Sequence, residues 1–503
     1  MKTLLALLAC AAIACAQEPP QPPPQPEPVA PADPRPQVKM TLEDCVRLAL
    51  DNNLDLLSQR IEPETFEGDL VSFKGAWDPV VYASGSRRAS RTPTASALSG
   101  APVASDQAWV AALGVRGVLL TGTSWDFSFE SERADTNNSY STLNPRWNSS
   151  FGFSLRQPLL RNAWLDYNLI NARLSRNSHR GSVSRVEQST AETIYAVELA
   201  YWNLINAIRQ KNVKDRALEL AQRLYEVNRN KVRAGALAPI EELRAESEVA
   251  SQKEGIILAQ NAIEDAQDAL RRLIRPFSKP SDWDFVITPT DDPAFEPRAV
   301  DLNAAIADAL SGRPELEELR LSIDSAKLRE TKYSREMLPS LDLTGNLRWV
   351  GLGGNMGDSL EGINSDDYDT WEIGVIFEYP LGSRTAKGGL IRAEADRRRA
   401  DLALRNLEQD VVVEVRQAGR EINSSRERIE ATRTASRLAK RALEAEQARY
   451  DRGLTTSHDL LQFQKAVTDA ESNETQAVVD YMIGTLKLRK ATGAILRERA
   501  AAK

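Results

Sequence analysis

Two hydrophobic rhythms divide the chain. Val197, Ala200, Leu204 and Ile208 recur at three- and four-residue spacing, as do Val411, Val415, Ala418 and Ile422. That is the stripe of a helix with one buried face. It predicts long helices over Leu159–Ala234 and Leu390–Arg452. Some seventy residues at 1.5 Å each give roughly 100 Å, far more than a globular core needs, so coiled-coil packing follows. Elsewhere the period drops to two. In "SLDLTGNLRW" (340–349), Leu341, Leu343, Gly345, Leu347 and Trp349 alternate with Asp342, Thr344, Asn346 and Arg348. "WEIGVIFEY" (371–379) and "WNSSFGFSL" (147–155) repeat the alternation. Such segments of about ten residues, ending in Trp or Tyr, are the pattern of membrane β-barrel strands with an apolar outside and a polar lumen.

The plan occurs twice. "LEDCVRLALDNNLDL" (42–56) aligns with "LNAAIADALSGRPEL" (302–316) at an offset of 260, which also carries Pro79 onto Pro339 and Gly85 onto Gly345. "KVRAGALAPIEEL" (231–243) aligns with "RYDRGLTTSHDLL" (449–461) at an offset of 218. The offsets differ by 42 residues, so the first copy is longer between those landmarks. Strands predicted at 78–90, 107–120, 122–133 and 146–157, against 340–350 and 370–380 in the second copy, make the surplus a hairpin, 107–133, turning at Gly122. The segment 351–369 is expected to be a loop. Each copy then has a short helix, strands, a very long helix, a Gly and a shorter helix, over residues 41–275 and 300–495. A linker (276–299) joins them and a tail (496–503) follows. Helices 41–76 and 239–275 together match one long helix, so two short helices stacked end to end would flank each long one.

Charge narrows the partners. A net charge of −7 over 503 residues argues against nucleic acid. After the N-terminus no run of eighteen apolar residues occurs, so no helix is expected to span a membrane. Residues 1–16 have the form of an export leader, with Lys2, an apolar run and a small-residue site at Ala14-Cys15-Ala16. Ala12-Ile13-Ala14-Cys15 also approximates a lipoprotein box, so Cys15 is either part of the leader or a lipidated first residue. Residues 17–40 form a Pro-rich tether. Cys45 alone remains in the body, and no disulfide framework is possible within the chain.

His458-Asp459, after Gly453, is the one pair resembling catalytic residues. No nucleophile stands at a suitable spacing, and neighbouring helix residues point about 100° apart. Two histidines in 503 residues offer no zinc pattern. No enzymatic activity and no cofactor are expected. The repeat partner of the pair is Ile240-Glu241, so the recurring features are the Gly and the following acid. Gly235 and Gly453 fit C-terminal caps, Pro239 a first helical turn, and Thr456 with Asp459 a capping box.

The paired turns "RAGALAPIEEL" and "DRGLTTSHDLL", "LPSLDLTG" (338–345), and the junctions "LRQPLLRNAW" (155–164) and "FEYPLGSR" (377–384) resemble the TolC-type outer-membrane channel-tunnel family across residues 40–495. The resemblance implies a mainly α protein with a membrane β-barrel: a homotrimer standing in outer-membrane lipid, with an α-helical barrel crossing the periplasm. It implies a periplasmic adaptor and an inner-membrane transporter as partners, and a passive exit duct as the function. The alternatives are a structural envelope protein of the same architecture that does not conduct, and an exported enzyme. Gly235, Leu237, Gly453, Leu454 and Thr455 fall on the adaptor-docking tips. Asp459 and Glu241, with Glu242 and Gln462, fall on the periplasmic aperture, where converging carboxylates would repel one another and raise their pKa values. Two positions depart from the pattern: Thr455 replaces an arginine and Gln462 an acid. Arg233 and Arg452 are the arginines near enough to substitute. The family contributes four strands per subunit, twelve per barrel, against six here.

Overall fold

A cap begins the first helix: the Thr41 hydroxyl accepts from the Asp44 amide, and the Asp44 carboxylate accepts in return from Thr41. The structure, a computed structural model, describes residues 35–95, 102–293, 295, 300–365 and 368–501. The leader, Cys15 and most of the tether lie outside that range. The first repeat comprises β1 (Gln37–Met40), α1 (Leu42–Asn52), α2 (Leu54–Lys74), β2 (Val80–Pro93), β3 (Val103–Val118), β4 (Ser124–Thr136), β5 (Arg146–Pro158), a single turn α3 (Leu165–Asn168), α4 (Ile170–Arg233) and α5 (Pro239–Ile274). Between the repeats lies β6 (Val286–Pro289). The second repeat comprises α6 (Leu302–Gly312), α7 (Pro314–Glu336), β7 (Ser340–Gly353), α8 (Met356–Ile363), β8 (Asp369–Glu378), α9 (Arg384–Asp451) and α10 (Ser457–Ala491), followed by α11 (Ala494–Ala501).

Both stripes are buried as their spacing predicts, except that Ile208 is half-buried. Val197 and Leu204 on α4, and Val411 and Val415 on α9, are fully buried. Helices α2 and α5 pack on α4, and α7 and α10 pack on α9. At 64 and 68 residues, the long helices run roughly 95–100 Å. The main cluster sits where α1 meets α4 and α5, around Cys45, Leu56, Tyr201, Leu270 and Ile287. Burial pushes the Cys45 thiol up to about 12. Smaller clusters run along α9, from Ala309 and Val415 through Ile422 and Ile429 to Leu224, Tyr450 and Leu460 at the far end.

Several boundaries differ from the sequence expectation, each for a local reason. The helix expected over 41–76 breaks at Asn53, which caps α2 by accepting from the Leu56 amide. Its repeat equivalent, Arg313, breaks the second copy before Pro314. The first long helix starts at Ile170, eleven residues later than expected, because Asn162 adopts φ +67° and Trp164 is extended. The second starts six residues early, at Arg384. Within the expected loop 351–369, Asn355 caps the short helix α8. The tether and linker also gain structure: β1 pairs in parallel with β6. The Tyr201 hydroxyl, 2.6 Å from Asp291 and 3.1 Å from the Met40 carbonyl, fastens that pair to α4.

All six longer strands form one antiparallel sheet in the order β2-β3-β4-β5-β7-β8. The repeats join in it through β5 and β7, Trp147 opposite Gly353 and Pro158 opposite Asp342. The outer edges of β2 and β8 are unpaired among the described residues.

Candidate functional site

The candidate site is the end of the helices farthest from the sheet. There α4 and α9 reverse into α5 and α10 through two turns built alike. In the first, Gly235 at φ +72° lets its amide reach the Val232 carbonyl (2.9 Å) while the Ala236 amide reaches that of Lys231 (2.8 Å). In the second, Gly453 at φ +74° bonds Tyr450 (3.0 Å) and Leu454 bonds Arg449 (3.0 Å). This is the Schellman closure, whose left-handed residue has to be free of a Cβ clash. Both glycines are exposed, Leu237 and Thr455 are half-buried, and Leu454 is 65% exposed. Ile240 and Leu243 are exposed beside them.

The helices that follow start differently. Pro239 opens α5 with no side-chain cap. Thr456 opens α10 with the expected capping box: its hydroxyl accepts from the Asp459 amide (3.2 Å) and donates to the Asp459 carboxylate (2.7 Å). The Thr456 amide (3.4 Å) also points at that carboxylate, and the Thr455 hydroxyl oxygen lies 3.2 Å from it. These bonds, led by the Thr456 hydroxyl, hold Asp459 below the ordinary carboxylate range. Within a subunit the direction is therefore opposite to the rise expected from mutual repulsion.

Glu241 is placed by the neighbouring tip. Its carboxylate accepts from Ser457 Oγ across the two turns and from Arg244 (3.1 Å). Its backbone carbonyl accepts from Asn228 (3.1 Å), and the buried Asn228 Oδ1 accepts from the Tyr450 hydroxyl. The Lys231 ammonium lies 3.9 Å from the centre of the Tyr450 ring. Thr455 donates to the buried Glu446, which also pairs with Arg449 (3.1 Å). Glu242 is half-buried. Gln462 Nε2 lies 3.0 Å from His458 Nε2 at the surface, giving that histidine an amide neighbour. Arg233 and Arg452, the expected substitutes for the family arginine, form no ion pair among the described residues; Arg244 and Arg449 are the arginines that pair here.

Sequence reasoning missed Ser457, Asn228, Tyr450 and Glu446. One signal was available for Tyr450: Val415, Ile422, Ile429, Ser436, Leu443 and Tyr450 follow at intervals of seven, which continues the buried seam to the tip. Asn228 likewise stands seven residues after the buried Ala221. A polar group on such a seam needs a partner across it.

Two repeated helical hairpins nearly 100 Å long, standing on a sheet with an apolar face, define an outer-membrane channel-tunnel. A model of the outer membrane efflux protein family matches residues 122–274 and 305–494, and the chain belongs to that family. It is 27% identical over 351 residues to outer membrane protein TolC of Vibrio cholerae, covering 69% of this chain and 77% of the relative. Against TolC of Escherichia coli the match is 24% over 308 residues, 59% and 60% of the two chains. The fold is similar to the Campylobacter jejuni CmeC outer membrane channel, at TM-score 0.66, 20% identity and 92% and 88% coverage. It is also similar to VceC of Vibrio cholerae, at 0.65, 14% and 90% and 96%. The chain is thus an outer-membrane exit duct of the efflux class with a periplasmic extension.

Proposed function

We propose that three copies assemble into a passive duct, open to the outside through the sheet end and gated at the helical tips. Gly235, Leu237, Gly453, Leu454 and Thr455 dock a periplasmic adaptor, which couples the duct to an inner-membrane transporter. Asp459, Glu241, Glu242 and Gln462 line the periplasmic aperture. The observation that carries this reading is the double tip. Two symmetry-like turns expose apolar side chains at their apex and hold carboxylates one turn behind it, bound together through Ser457 and Glu241. Threefold repetition of those carboxylates around an axis makes a narrow acidic ring, which favours cations over anions.

Because the Asp459 carboxylate also caps α10, the test replaces its charge and keeps a capping side chain. Planar-bilayer recordings of Asp459→Asn, with Glu241→Gln in parallel, are expected to show higher single-channel conductance and weaker cation selectivity. Unchanged conductance and selectivity in both variants would remove the acidic ring. A wild-type protein that inserts without conducting would remove the duct itself.

A further inference from the structure

The added hairpin either stands in the membrane wall or lies outside it, and the register of the sheet discriminates. One row of paired residues crosses all six strands: Val81, Val115, Phe127, Phe153, Leu347 and Trp371. The next row along is Ala83, Leu113, Phe129, Phe151 and Trp349, ending at Asp369 on the edge strand β8. On the other side of that first row lie Gly117, Trp125, Leu155, Gly345 and Ile373. The apolar band thus passes through β3 and β4 without interruption. Phe127 on the hairpin is 42% exposed and Leu347 outside it 41%, so both look onto the same surroundings.

The opposite face is polar on β4, β5 and β7, while on β3 it carries Arg116 with the small or apolar Gly114, Ala112 and Val110. Asp126, Ser128, Glu130 and Glu132 of β4 alternate with the aromatic residues of the band. Arg116 pairs with Asp126 in register, and the Tyr82 hydroxyl of β2 reaches Asp126 (3.0 Å) past Gly114. Arg156 meets Asp342 at 2.5 Å on this face. With 16 and 13 residues, β3 and β4 exceed the roughly 9–11 that a tilted strand needs to cross a bilayer. A six-stranded sheet is too small to close on itself in a membrane, eight being the smallest outer-membrane barrel. Its free edges, β2 and β8, run in opposite directions after five antiparallel pairings, so a second copy fits each edge antiparallel.

We propose that the hairpin β3–β4 is lipid-facing barrel wall, and that each copy contributes six strands closed edge to edge by its neighbours. With the three copies of the proposed duct, on which this number rests, the barrel has eighteen strands. Since barrel diameter grows roughly linearly with strand number, it is about 1.5 times as wide as the twelve-stranded pattern.

Two measurements on the full chain in liposomes test this. Phe127→Cys and Ser128→Cys are made with the native cysteines replaced by alanine and labelled with a nitroxide. Oxygen is expected to relax the label at 127 at least threefold more than a water-soluble nickel chelate does, with the order reversed at 128. Leu113→Cys and Ala112→Cys repeat the comparison on β3 should either first variant misfold. Equal chelate access at neighbouring positions on both strands would overturn the insertion. Single-particle imaging then counts strands. Eighteen supports the proposal. Twelve around an intact trimer overturns it and leaves the duct reading standing. A ring of other than three copies overturns the duct reading and the number eighteen, while the spin labels still decide whether the hairpin is inserted.

Discussion

Asp459 has two tasks that draw on the same carboxylate. On the proposed reading it supplies charge to the aperture; within the subunit it holds the first turn of α10 through Thr456. Its pKa is depressed from the ordinary 3.8 by those bonds, so the cap stabilises the turn above that value and is lost as pH falls through the lower folded value. Amide-exchange protection of residues 457–460 is expected to hold steady from about pH 8 to about pH 5 and to fall below about pH 4. Asp459→Ala should lose that protection at neutral pH and match the wild type in acid. A wild-type profile with its fall near neutrality would contradict the assignment. Of the tip, the sequence made legible what acts locally: the two glycines, Pro239 and the four-residue capping box. Ser457 with Glu241, and Asn228 with Tyr450, were hidden because each bond joins residues more than 200 positions apart. Where such partners meet is set by how two hairpins lie together, which no local spacing encodes.

At the scale of elements, α8 shows how closely a short helix can be set against a sheet. A Cβ on Gly351 would lie 1.8 Å from the Ser359 carbonyl oxygen and 2.7 Å from the Ile363 nitrogen, both backbone atoms that cannot rotate away. Beneath the helix, Ser359, Ser149 and Ser131 are joined hydroxyl to hydroxyl at 2.8 and 2.9 Å. Gly351→Ala is expected to lift α8 off β5 and β7 and break this chain. Protease cleavage within 354–365 should accelerate several-fold while the strand signal in circular dichroism is retained; unchanged cleavage would show that the helix is not seated there. That helix was not legible: "MGDSLEGI" holds two glycines and few strong helix formers, and the Asn355 cap together with contact with the sheet holds it helical. The long helices were legible because their stripes persist for many turns, and their starts were misplaced because propensity does not see the left-handed Asn162.

Over the whole molecule, the repeats are held together at both ends, by β5–β7 pairing in the sheet and by Tyr450 with Asn228 at the tip. Tyr450→Phe leaves the buried Asn228 oxygen without its donor, at a cost of about 1–3 kcal/mol. Denaturant unfolding of the detergent-solubilised protein measures it, and a loss no larger than for an exposed control such as Tyr140→Phe would refute the link. The twofold plan and strand count were legible in offsets of 260 and 218 residues; the pairing of β1 with β6 was not, since four-residue strands carry almost no pattern. The count also has a parity. Four strands separate α2 from α4 and two separate α7 from α9, so these helices all depart from the same rim of the sheet, and the short α8, between β7 and β8, lies at the other. One extra strand in the first copy would have sent α4, and everything after it, to the far side of the membrane. An insertion between α2 and α4 can therefore widen this wall only two strands at a time, and a surplus of 42 residues amounts to a single such step.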